Sequence, residues 1–151
     1  LAVSAVVVLG VAYLALKTPR RPRLPQLMFV LLALLMVVGK VFSPQDALWL
    51  TPLAVLARPR WRAFLAWQAA EVFLTLMRML LLVGLDNPDK GLPRGWWYVT
   101  VGIRDAALLV LVGFVIREMW RPALDVVRRD GVDDPAGGVL DEAPQREPVA
   151  A

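Results

Sequence analysis

Residues 63–84 read "AFLAWQAAEVFLTLMRMLLLVG". A helix of about 20 apolar residues crosses about 30 Å of hydrocarbon, and this run is of that length. It shows neither strand alternation nor the one-sided stripe of a helix on a soluble core. Polar side chains interrupt it, Gln68, Glu71 and Arg78 among them. Positions 71 and 78 are nearly two helical turns apart, so the spacing puts both on one face with Gln68. A charge near the middle of a bilayer costs about 2.5–3.5 kcal/mol, and such groups pair with one another or serve a site. The stretch therefore predicts a spanning helix with a polar face.

Four further apolar segments lie around it, at 1–16, 24–39, 47–57 and 96–116. The chain is 58% hydrophobic and 20% charged, above the roughly 45–50% apolar share of soluble domains, and its mean hydropathy is +0.59. The expected fold class is all-α: a polytopic transmembrane helical bundle of about five spans, one of them short or broken by Pro52. Residues 1–121 would form the bundle, and residues 122–151 a disordered cytoplasmic tail rich in Asp, Glu, Pro and Gly.

The basic residues fall in clusters between the apolar blocks. Lys17, Arg20, Arg21 and Arg23 occupy one loop, Arg58, Arg60 and Arg62 another, and Arg117, Arg121, Arg128 and Arg129 flank the last span. Loops rich in Lys and Arg stay on the cytoplasmic side. Arginine far outnumbers lysine, and Ala, Val, Leu and Pro abound, as in GC-rich bacterial genes, so the expected placement is a multi-pass protein of the bacterial plasma membrane with a cytoplasmic C-terminus. "GKVFSPQD" (39–46) and "LDNPDKGLPRGWWY" (85–98) then share the outer face.

The net charge of +4 and the isoelectric point of about 10.1 follow from these orientation signals, and no basic helix interleaved with aromatics points to nucleic acid. With no cysteine and no histidine, disulfides, thiol nucleophiles and the usual zinc, haem and imidazole chemistry fall away. No metal and no cofactor is expected. Leu1 sits inside an apolar run with no basic region before it, which does not fit a signal peptide, so the expectation is a C-terminal piece of a larger membrane protein.

"SPQD" reads as a helix start: Ser43 as N-cap, Pro44 at the first helical position, Asp46 in a capping-box place. The positive end of that helix, with Lys40 just before it, suits an anion. Arg78 lies about 9 Å below the outer end of its span, and Arg104 is similarly deep below the Trp96-Trp97-Tyr98 belt. Lys40, Arg78 and Arg104, with Ser43 and Gln45 at the helix end, are the candidate binding residues of a membrane-level phosphate pocket. Glu71, Asp105 and Asp46 are candidate structural or ion-pair partners; the plain alternative is pairing alone, Arg78 with Glu71 or Arg104 with Asp105.

The stretch "GKVFSPQDALWLTPLAVL" (39–56) resembles the K-x-x-SPQ-Y/F-x-x-WL-x-PL pattern near the C-termini of actinobacterial polytopic mannosyltransferases. These belong to the glycosyltransferase family 87-like enzymes of GT-C architecture, which depend on polyprenol-phosphate-mannose. Asp46 stands where an aromatic is more usual. "VGIRDAALLVLVGFVIREMWRPALDVVRRDGVDDPAGGVLDEAP" (101–144) is similar to the closing span and tail of the same proteins. The resemblance implies a polyprenyl-phosphate sugar donor, a glycolipid or glycan acceptor and transfer on the outer face. The catalytic acid in such enzymes lies in the first outer loop, so no residue of 1–151 is assigned as catalytic. Other classes compatible with the residues are a secondary transporter or flippase fragment, whose broken helix would serve a coupling ion, and a structural membrane subunit.

Overall fold

A computed structural model describes residues 2–39, 44–86 and 93–128, without the side chains of 44–46, 86 and 94. Among the described residues the chain is all-α, with five helices and no strand: α1 Ala2–Lys17, α2 Leu24–Val38, α3 Pro44–Ala57, α4 Trp61–Asp86 and α5 Arg94–Trp120, followed by a short 3-10 turn, Pro122–Leu124. Prolines punctuate the chain where a missing N–H costs nothing. Pro19 and Pro22 hold the first loop, Pro25 and Pro44 fall in the first turns of α2 and α3, and Pro93 precedes α5.

Short loops make successive helices antiparallel. α2 packs on α3, α3 on α4, α4 on α5 and α5 back on α2, which closes a four-helix ring; α1 leans on the outside of α2. The core is drawn from helical stripes: Phe29, Val30 and Ala33; Leu50, Ala54 and Ala57; Phe64 and Trp67; Leu108, Leu111, Val112, Val115 and Met119. Their spacing of three and four gives each helix one buried face. Ala33, Ala54 and Ala57, all fully buried, let backbones approach closely, as small residues do between apolar helices.

The outer faces remain apolar. Val6, Leu9 and Leu16 of α1, Leu65, Leu76 and Leu85 of α4, and Val99, Ile103 and Val110 of α5 are all exposed. Soluble monomers rarely show contiguous apolar surface of this kind. Two helices, α4 and α5, are long and apolar enough to cross a membrane; α1, α2 and α3 are shorter apolar helices.

Two expectations change. Pro52 does not break α3, which runs through it as one helix. Beside it Thr51 donates its hydroxyl to the Ala47 carbonyl at 2.9 Å and accepts from Gln68 Nε2 of α4 at 3.0 Å. Proline is carried in apolar helices where hydroxyls and neighbouring helices supply such polar contacts. The second is the boundary at 122: residues 122–128 pack on the bundle, with Asp125 only 1% exposed. Residues 129–151 lie outside the described residues.

Candidate functional site

Two polar clusters sit inside this apolar fold. The first joins α4 to α5. Glu71 is buried, and its Oε1 accepts from Trp67 Nε1 and from Arg104 Nε, each at 3.0 Å. Trp67 is one turn earlier on α4 and fully buried, so the indole fixes the carboxylate where α5 presents its guanidinium. Arg104 Nη1 also donates to Asp105, its neighbour on α5. Among the described residues this arginine thus faces two carboxylates, and the pair with Glu71 is largely withdrawn from solvent.

The sequence placed Gln68, Glu71 and Arg78 on one face, but the packing divides them. Gln68 turns to α3, through Thr51, and Glu71 turns to α5. Glu71 is paired with Arg104 and not with Arg78. Arg78 is half-buried, and its guanidinium makes no hydrogen bond or ion pair among the described residues. It lies eight residues before the end of α4, about 12 Å along the axis. Chain direction puts that end with the N-terminus of α3. Lys40 and Ser43 lie outside the described residues. Gln45 and Asp46 occupy the first turn of α3, with side chains outside the described set.

The second cluster was not legible as a site. It closes the opposite end of the bundle, where the basic loops gather. Arg23, read from sequence as a loop charge, is buried at 3% exposure. Its Nε and Nη2 meet Asp125 at 2.9 and 3.2 Å, while Nη1 and Nη2 donate to the carbonyls of Leu56 and Ala57 at 3.0 and 2.8 Å. Those carbonyls belong to the last turn of α3, which has no helical donors left, and a cation there also suits the helix dipole. Gln26 completes the arrangement: Nε2 donates to Asp125 Oδ2 at 3.1 Å, and Oε1 accepts from the Arg23 N–H at 3.2 Å. Asp125 further accepts the Val127 N–H at 3.1 Å.

Alongside, Arg58 Nε donates to Glu118 Oε1 at 2.9 Å, and Arg60 Nη1 lies 3.7 Å from the same oxygen. Arg60 Nη2 donates to the Leu124 carbonyl at 2.9 Å, and the Arg58 guanidinium stacks over Phe114 with its carbon 4.7 Å from the ring centroid. The cluster binds the start of α2, the end of α3, the end of α5 and the segment after it. The signal in the sequence was the pair of acids, Glu118 and Asp125, set among arginines at the close of an apolar helix; buried acids are rare unless paired.

Among the described residues no group of acidic side chains could hold a metal ion. Fold and clusters together define an all-α bundle with buried ion pairs and two helices able to span a membrane. No family model, no curated protein and no solved structure matches the chain.

Proposed function

We propose that this chain is a membrane-embedded five-helix part of a GT-C-type glycosyltransferase, one that moves mannose from a polyprenyl-phosphate donor to an envelope glycolipid or glycan on the outer face. All five helices would sit in the bilayer of a bacterial plasma membrane, with the short α1–α3 covered by lipid and by one another and the arginine-rich end in the cytoplasm. The apolar outer faces of α1, α4 and α5 support the embedding. The "SPQ" resemblance supports the chemistry.

The observation that carries the phosphate-binding role is Arg78. A guanidinium held in an apolar helix with no protein partner among the described residues has its desolvation cost uncompensated, and a phosphate oxygen pair would offset it through a bidentate contact. It lies toward the same end of the bundle as the N-terminus of α3, where Lys40, Ser43 and Gln45 cluster in sequence. Arg104, engaged with Glu71 and Asp105, is instead given the role of holding α4 and α5 in register. No residue of this chain is assigned as the catalytic acid.

The test is donor titration of the full-length enzyme in liposomes, with unfolding recorded for each variant. Arg78→Met and Lys40→Met should each weaken the donor roughly ten- to a hundredfold, the ~1.5–3 kcal/mol typical of charged hydrogen bonds. Arg78→Lys should recover part of the loss. Unchanged donor affinity in both methionine variants would leave Arg78 a snorkelling side chain and the phosphate role untenable.

A further inference from the structure

The opposite, arginine-rich end of the bundle carries a groove of its own. Between the start of α4 and the second half of α5 an open groove of about 770 Å³ is walled by Val110 and Phe114 on α5 and by Trp61 at the head of α4. Its basic rim is Arg58, Arg60 and Arg62. Glu118 is the acid that faces this rim, and it takes up Arg58 and part of Arg60. Among the described residues, three arginines against one glutamate leave the groove with an excess of two positive charges.

The charges differ in what they are free to do. Arg58 is buried against Phe114 and Glu118. Arg62 is exposed and makes no hydrogen bond or ion pair among the described residues. On α5, positions 110, 114 and 117 recur at the spacing of one helical face, so the apolar wall is followed, one turn further, by the exposed Arg117. Apolar wall above and cations below repeat the order of an acyl chain and its headgroup. The large exposed Trp61 and Trp120 sit at the same level, where indoles favour the membrane interface.

We propose that this groove holds an anionic phospholipid, its acyl chain along Val110 and Phe114 and its phosphate between Arg62 and Arg117. The site rests on the membrane-embedded reading and is independent of the sugar-transfer one. The occupant follows from charge and shape together: a free anion has no use for the apolar wall, and a zwitterionic lipid gains nothing from the excess charge. Basic pockets between spanning helices on the cytoplasmic side bind acidic headgroups in this way.

The experiment is native mass spectrometry of the full-length protein in neutral detergent, titrated with phosphatidylglycerol, phosphatidylcholine or inorganic phosphate. Phosphatidylglycerol should be retained at low equivalents, and the other two should not. Arg62→Gln and Arg117→Gln should each weaken retention about fivefold and the double variant about twenty-five-fold, since each cation near an acidic headgroup contributes about that factor. Both side chains are exposed, so folding should persist. Val110→Trp fills the apolar wall without touching a charge and should weaken retention as well. Arg20→Gln, an exposed charge in the first loop, should have no effect. Equal retention of phosphatidylcholine, a full response in the double variant, or a loss with Arg20→Gln as large as with Arg62→Gln would overturn the site. Failure of the protein to reconstitute into neutral phosphatidylcholine vesicles would overturn the embedded bundle and this site with it.

Discussion

Replacing Asp125 with Ala removes the one carboxylate that Arg23 meets among the described residues, and the consequence can be worked from the structure. The pair is buried on both sides, at 3% and 2% side-chain exposure. Removing one partner of such a pair strands a buried charge and costs about 3–5 kcal/mol. Arg23 would keep its bonds to the Leu56 and Ala57 carbonyls, which disperse some of that charge, so the expected loss is near the lower end, about 3 kcal/mol or roughly a hundredfold in the folding equilibrium. Gln26 Nε2 and the Val127 N–H also lose their acceptor. The double variant Arg23→Met, Asp125→Leu removes both charges and should recover much of the loss, because an apolar pair of similar volume avoids the desolvation cost. The assay is reversible unfolding of the protein in detergent micelles, run on all four members of the cycle. A coupling energy under about 0.5 kcal/mol, within the scatter of additive sites, would refute the claim that Asp125 ties the segment after α5 to α2 and α3.

The same contact predicts the outcome of truncation: deleting 130–151 should leave insertion and unfolding unchanged, whereas deleting from Pro122 onward should cost as much as Asp125→Ala in the same assay. Glu71→Gln removes one of the carboxylates on Arg104 and should destabilise by about 2–3 kcal/mol, while Arg78→Met removes a charge with no partner among the described residues and relieves its desolvation, so stability should stay level or rise; a loss as large as that of Glu71→Gln would show that Arg78 is paired after all. Single cysteines in place of Arg20 and Asp89 should react oppositely with a membrane-impermeant thiol reagent in intact cells, Asp89 labelled and Arg20 protected, and the reverse would invert the proposed orientation.

The sequence by itself determined the element order. Runs of Leu, Val and Ala separated by Pro and Arg leave few choices for where helices start and stop, and the segments read at 24–39, 63–84 and 96–116 lie within a few residues of α2, α4 and α5. Helix ends depend on neighbours in sequence, so Pro44 could be read as the start of α3 directly. What the sequence left open was which face of each helix turns inward. These helices are apolar all round, and a pattern without contrast does not say that Leu50, Ala54 and Ala57 are buried while Leu48 and Leu56 are exposed. The same gap governs the charges. Glu71 is seven residues from Arg78 and thirty-three from Arg104, and local spacing favours the first; helix packing delivers the second. Arg23 and Asp125 lie 102 residues apart, and their charges read in sequence as solvated ends of two unrelated segments. Only the closure of the ring, α5 against α2, brings them within hydrogen-bond distance, because a long-range ion pair is a property of where helix ends meet and not of the residues beside each partner.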